Sequence, residues 1–287
     1  MKKTLWLREK EYSTQKCCMV MGILNATSDS FYAKSRVSST ENAVERALKM
    51  IDDGADILDL GSESSRPGAE YVSAETEIEK LVPIVSGIRK YNSSIPISID
   101  TRKKIVMEEC LNAGADILND ISSLEDDEKM ISFVSESKIP VILMHKRGSA
   151  KNMMNNTHYE NVFREVQSYL YSRADWCVQN GIERKKIIFD PGIGFGKDLK
   201  SNLQLVRNCG KISSEYADGS CLSVMALSRK TMIQSLTGKD AANSLAGTLT
   251  ANAFSVMAGS DIVRVHDVAE TVDMINVLTE LLRIDDE

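Results

Sequence analysis

The chain has 287 residues, 43% hydrophobic and 26% charged, with a net charge of −6. Those proportions are ordinary for a soluble globular protein, and the negative balance argues against a nucleic-acid-coating role. A chain this long can bury a large core without disulfides or a structural metal.

The amino end, Met1-Lys2-Lys3-Thr4-Leu5-Trp6, lacks the apolar centre of a signal peptide. No stretch reads as a bilayer span, so a cytoplasmic location is expected. The six cysteines form no C-x-x-C pair, and with three histidines a structural zinc site is not expected. Reduced, packing cysteines are the simpler reading.

In chain order, short β-rich apolar runs occupy residues 19–24, 57–60, 97–99, 117–118, 141–144, 187–189, 223–226 and 262–265. Helix-length segments lie between them. Two show apolar residues at helical spacing: Ala43, Ala47, Leu48 and Ile51, then Ile78, Leu81, Val82 and Val85. Eight alternating β and α units imply parallel strands closed into a (β/α)8 TIM barrel. The chain is read as a single domain over residues 1–287, with 1–18 as an extension and 284–287 as a frayed tail.

A short echo recurs: Gly54-Ala55-Asp56-Ile57, Gly114-Ala115-Asp116-Ile117 and Gly259-Ser260-Asp261-Ile262. Each places a helix-ending glycine just before a buried strand, where a left-handed cap is needed. The polar stretches 35–40 and 148–157 come after strands and are expected to be loops on the catalytic face.

The residues at the carboxyl end of each run are more informative. In order the strand ends carry Asn25; Glu63, Ser64, Ser65 and Arg66; Asp100; Asn119 and Asp120; His145; Asp190; Ser228, Arg229 and Lys230; and Arg264, His266 and Asp267. Singly, each has a bland explanation. Asp120 or Asp267 could cap a turn or helix, His145 could be a satisfied core histidine, and Arg66 could make a surface ion pair. Polar groups at all eight ends of one barrel argue for a site, because buried charges without partners are costly.

Asp100, Asn119 and Asp190 offer acceptors and an amide on neighbouring strand ends, which suits a flat heterocycle bearing several N–H groups. Arg264 and His266 suit a phosphate, with arginine reading it as a fork. Asn25 offers a hard oxygen of the kind Mg²⁺ accepts beside a pyrophosphate. Thr231, after Lys230, is expected to open a helix whose amino end favours an anion. The segment Asp190-Pro191-Gly192-Ile193-Gly194-Phe195-Gly196-Lys197 fails as a Walker A loop, having three residues before Gly196-Lys197 and then Asp198. H-E-x-x-H and G-x-S-x-G are absent, which leaves metalloprotease and serine-hydrolase readings unsupported.

Over residues 19–275 these pieces resemble dihydropteroate synthase, a pterin-binding barrel family. The resemblance runs through Met21-Gly22-Ile23-Leu24-Asn25, Glu63-Ser64-Ser65-Arg66-Pro67-Gly68, Ser98-Ile99-Asp100-Thr101 and Ile117-Leu118-Asn119-Asp120-Ile121. It continues through Leu143-Met144-His145, the Asp190 to Lys197 segment, Ser228-Arg229-Lys230 and Arg264-Val265-His266-Asp267. It implies a transferase of folate biosynthesis that joins a pterin CH₂-pyrophosphate to p-aminobenzoate and releases pyrophosphate. It assigns pterin contacts to Asp100, Asn119, Asp190 and Lys230, and pyrophosphate contacts to Asn25, Arg264 and His266, with Mg²⁺ at Asn25. It assigns p-aminobenzoate to Phe31, Ser65, Pro67, Phe195 and Thr231, and catalysis to Lys230, Asp100, Asp190 and Arg264. It also implies a homodimer that takes small-molecule substrates, without nucleic acid or membrane partners.

The departures from the family pattern gather in two loops. In Asn25-Ala26-Thr27-Ser28-Asp29-Ser30-Phe31-Tyr32-Ala33-Lys34-Ser35 the usual proline, second aspartate and both glycines are replaced. In the second loop Ser62 and Ser65 stand for glycine and threonine. Such losses change which loop conformations are accessible. They predict weaker inhibition by sulfonamide mimics of p-aminobenzoate. They also keep open a pterin-binding paralogue without synthase activity. A methyltetrahydrofolate-dependent methyltransferase fits less well, since Lys230 and Arg264-Val265-His266 are retained.

Overall fold

The structure, a computed structural model, describes all residues except 1–3, 8, 27–32, 64–70, 149–151 and 284–287, and the side chains of 33–38 and 154. Eight parallel strands close a barrel: β3 (Met19–Asn25), β4 (Ile57–Gly61), β5 (Ile97–Asp100), β6 (Ile117–Asp120), β7 (Val141–Met144), β8 (Ile187–Asp190), β9 (Leu222–Met225) and β10 (Ile262–Val265). β10 closes on β3 with Ile262 opposite Met19 and Arg264 opposite Met21. All eight predicted strands are present. The seventh is shifted back by one residue, and four others extend to the polar residue at their carboxyl end.

Helices α1 (Ala33–Asp52), α2 (Ala74–Tyr91), α3 (Lys104–Asn112), α4 (Met130–Ser137) and α5 (Val162–Gln179) accompany the first half of the barrel. The second half carries α6 (Leu199–Arg207), α7 (Cys209–Ser214), α8 (Thr231–Thr237), α9 (Leu245–Met257) and α10 (Val268–Leu281). Residues 35–40, expected as a loop, instead belong to α1. The stretch contains neither glycine nor proline, so the well-formed helix downstream propagates back through it. The expected loop at 148–157 holds a 3₁₀ turn at Met153–Asn155.

The extension before the barrel is structured. β1 (Leu5–Leu7) and β2 (Lys10–Tyr12) form an antiparallel hairpin with Leu5 opposite Tyr12. Leu5, 1% exposed, packs with Met19, Met21, Ile57, Ile117, Ile142, Ile188, Leu222, Val224 and Ile262. These residues are the inward-facing side chains at the amino ends of the strands. The hairpin therefore stoppers that end of the barrel and leaves the carboxyl end for a site.

The recurring glycine-to-aspartate echo has a shared geometric purpose. Gly54, Gly114 and Gly259 all have positive φ, at 94°, 112° and 96°. The aspartate two residues on then accepts a backbone N–H of the preceding barrel strand: Asp56 from Val20 at 2.8 Å, Asp116 from Ile97 at 3.0 Å and Asp261 from Ser223 at 2.7 Å. Three joints use one device to satisfy an N–H at the strand entrance.

Candidate active site

Strand alternation sets the interior. Successive side chains point to opposite faces, so the residue two beyond each inward apolar side chain also points inward. Ile57 is followed in this register by Asp59, Ile117 by Asn119, Ile188 by Asp190, and Ile262 by Arg264. One turn of the barrel is thus apolar, and the layer above it is polar. β5 contributes Ser98 and then Asp100 by the same rule.

Arg264 organises that polar layer. Its Nε donates to Asp59 Oδ2 at 2.6 Å and its Nη2 donates to Asp100 Oδ2 at 3.0 Å. Asn119 Nδ2 donates to the two Asp59 oxygens at 3.3 and 3.2 Å. Burial pushes the Asp100 carboxyl up to about 7; Arg264 opposes the rise and the Asp59 charge adds to it. Burial draws the Arg264 guanidinium down, but Asp59 and Asp100 outweigh it and hold the group above its ordinary range.

The opposite wall comes from β8 and the loop after β9. Asp190 accepts the Gly192 N–H at 2.7 Å, and burial raises its carboxyl against the pull of Lys230. Lys230 donates to the Ile193 carbonyl, and its Nζ lies 4.9 Å from the centre of the Phe195 ring. Burial lowers the Lys230 ammonium to about 8, with Asp190 opposing the fall. Arg229 sits in the left-handed region at φ 58° and is ion-paired with Asp267. This reversal separates Lys230 from Ser228, whose Oγ lies 3.0 Å from His266 Nδ1. Thr231 is exposed and opens α8, as expected, and Asn25 is exposed at the end of β3.

Of the predicted residues, Asp100, Asn119, Asp190, Lys230 and Arg264 thus occupy one end of the barrel, with Phe195 beside Lys230. Phe31, Ser65 and Pro67 lie outside the described residues. Asp120, in contrast, turns outward and accepts the N–H groups of Ser122 at 2.7 Å and Leu124 at 3.1 Å. It is a turn residue. His145 takes its bland role too: it is buried, and burial together with the Lys197 and Arg147 cations lowers its ring to about 3.

Asp59 is not singled out by residue type or spacing at a strand end. Its signal is present as an acid inside the apolar run Ile57-Leu58-Asp59-Leu60, at the parity of an inward-facing residue. A second missed group surrounds Glu77, which is fully buried and accepts from Lys103 Nζ and Thr101 Oγ1, each at 2.7 Å. Lys103 also binds Glu63 at 2.7 Å. That network anchors the chain at the end of β4.

A closed parallel barrel with a charged, partly buried ring at the carboxyl ends of its strands defines a (β/α)8-barrel enzyme. The family model "Pterin binding enzyme" matches residues 21–266. Dihydropteroate synthase of Haemophilus influenzae is 36% identical over 273 residues, covering 93% of this chain and 97% of that relative. The Escherichia coli enzyme of the same name is 39% identical over 263 residues, covering 92% and 91%. In solved structures, Xanthomonas albilineans dihydropteroate synthase with 4-aminobenzoic acid aligns with a TM-score of 0.88 at 32% identity, covering 98% of this chain and 99% of that one. The chain belongs to the pterin-binding enzyme family, among its dihydropteroate synthases, which are transferases of folate biosynthesis.

Proposed function

We propose that this chain condenses 6-hydroxymethyl-7,8-dihydropterin pyrophosphate with p-aminobenzoate, giving 7,8-dihydropteroate and pyrophosphate. The observation that carries this reading is the polar layer of Asp59, Asp100, Asn119, Asp190 and Arg264 directly above an apolar barrel floor. A flat pterin would rest there, with Asp100, Asn119 and Asp190 meeting its N–H and ring acceptor groups and Lys230 at its edge.

In the reaction the C–O bond to pyrophosphate breaks, the arylamine nitrogen forms the new C–N bond, and that nitrogen loses a proton. Arg264, His266 and Asn25 would hold the departing pyrophosphate. Asp100 and Asp190 would stabilise the pterin as positive charge develops on its methylene, and Lys230 would hold the pterin in place by donating to acceptors on its edge. No covalent nucleophile is required. The protein's contribution is positioning and preorganised electrostatics. Phe195 and Thr231 would meet p-aminobenzoate, joined by Phe31, Ser65 and Pro67 of the two loops.

Among the described residues no group of three or more His, Cys, Asp or Glu side chains is arranged to hold a metal. That donor set fits Mg²⁺ in one form: an ion that arrives on the pyrophosphate, keeps several waters and takes a single amide oxygen from Asn25. Such an ion would neutralise charge on the leaving group. Among the described residues no helix is long and apolar enough to cross a membrane.

A homodimer is the second part of the proposal. Exposed apolar side chains line adjoining helices: Phe254 and Met257 on α9, and Val277 and Leu281 on α10. Exposed apolar side chains on neighbouring helices are suited to a second copy.

The deciding experiment is a dihydropteroate synthesis assay with Mg²⁺, run with and without a sulfonamide. Product formation with inhibition weaker than that of an enzyme carrying the usual loops is expected. Pterin binding by calorimetry without product would overturn the synthase reading in favour of a binding paralogue.

A further inference from the structure

Behind the Phe195 loop lies a lysine with no role in the chemistry just described. Lys197 is 1% exposed, and four acceptors surround its Nζ. They are the Gly192 carbonyl at 2.8 Å, the Phe195 carbonyl at 3.0 Å, His145 Nδ1 at 3.0 Å and the His145 carbonyl at 3.3 Å. To accept from Lys197, Nδ1 of His145 must carry no proton, as in a neutral ring protonated on Nε2. The neutral state imposed by burial fits that requirement.

The loop so gripped has little freedom to sit elsewhere. A Cβ on Gly192 would come within 1.9 Å of the His145 carbonyl oxygen, and one on Gly196 within 2.7 Å of the Arg147 carbonyl oxygen. Asn202, also buried, accepts the Gly194 N–H at 2.8 Å and donates to the Lys197 carbonyl at 3.2 Å. The front of the same loop supplies the Ile193 carbonyl and the Phe195 ring that meet Lys230.

We propose that Lys197 is a positioning residue for p-aminobenzoate: it fastens the Phe195 loop to the end of β7 and so sets the Phe195 ring and Lys230. The inference rests on the assignment of Phe195 to the p-aminobenzoate side. Lys197 touches no substrate in this arrangement, while the Asp100 and Asn119 part of the pterin floor belongs to other strands. Loosening the loop should therefore act unevenly on the two substrates.

The test compares Lys197→Met, which keeps an apolar stem, and Lys197→Gln, which keeps two donors, with the parent chain. In Lys197→Met the KM for p-aminobenzoate should rise roughly tenfold or more, by more than the KM for the pterin pyrophosphate. Hydrogen exchange of residues 192–196 should accelerate, and Lys197→Gln should recover part of both effects. Unchanged KM values with only a lower Tm, or equal losses for both substrates, would overturn the proposal. Should Lys197→Met fail to fold, the Lys197→Gln split decides. A parent chain that makes no dihydropteroate overturns the reading of the site itself. In that case loop exchange decides alone whether Lys197 is the fastening, and unchanged exchange in the variant rejects it.

Discussion

Arg264 on β10 reaches past β3 to Asp59 on β4, donating from Nε to Oδ2 at 2.6 Å, and Asp59 has no exposed surface. The same carboxylate receives the Asn119 amide from β6. One buried acid thus fixes the aim of both an arginine and an amide in the polar layer. Removing it strands the guanidinium beside Asp100 alone. Asp59→Ala should lower unfolding stability by about 3–5 kcal/mol, the range for breaking a buried charge pair. It should also raise the KM for the pterin pyrophosphate. Urea denaturation and steady-state kinetics check both, and an unchanged KM would deny Asp59 its bracing role.

The pH dependence comes from two groups shifted toward each other. Asp100 is pushed up to about 7, so it is protonated below that pH and becomes an acceptor-only carboxylate above it. Lys230 is pulled down to about 8, so its positive charge is lost above that pH. Activity needs the ionised acid and the charged lysine together. The profile of kcat/KM for the pterin pyrophosphate should therefore rise through about pH 7 and fall above about pH 8. Asp100→Asn should abolish the acid limb at reduced activity. An acid limb that persists in that variant belongs to the substrate instead.

Asn25 offers the ion one oxygen at most, so the metal dependence should be shared with the substrate. Removing Mg²⁺ with a chelator should suppress product formation while leaving binding of a pterin without pyrophosphate unchanged. Asn25→Ala should raise the Mg²⁺ concentration needed for half-maximal rate. Calorimetry with pterin alone provides the control, and equal binding loss there would remove Asn25 from the pyrophosphate side.

On the outer surface Met257 is 67% exposed and lies one helical turn from Phe254, on a helix adjoining α10. If that face joins two copies, Met257→Glu should shift the particle toward the monomer in light scattering after size exclusion, with the barrel's far-UV circular dichroism retained. A parent chain that is monomeric at working concentration would dispose of the dimer.

Much of the barrel and its site is legible in the residues. The eight strands, their parallel closure and the polar ends of each emerge from periodicity and order, because alternating β and α units admit few topologies. Asp59 escapes because an acid within an apolar run looks like an exception until strand parity aims it inward. The hairpin that stoppers the barrel escapes for another reason. Its strands are three residues each, too short to carry a period, and they are stabilised by contact with side chains from all around the barrel. The helical start of α1 is hidden by serines and threonines, which favour neither state strongly on their own.

By itself the sequence determined the alternation of elements, and with it the barrel, the end that carries function and the residue types gathered there. Those are local properties, written in spacing and chemical type. Only the tertiary structure decided which of the polar strand ends face one another. Barrel closure brought Arg264 to Asp59 and Asp100 from the far end of the chain, turned Asp120 outward, and buried Lys197 behind the loop whose front meets Lys230. Pairing between distant charges depends on strand register and direction, and these are set only when the whole sheet closes.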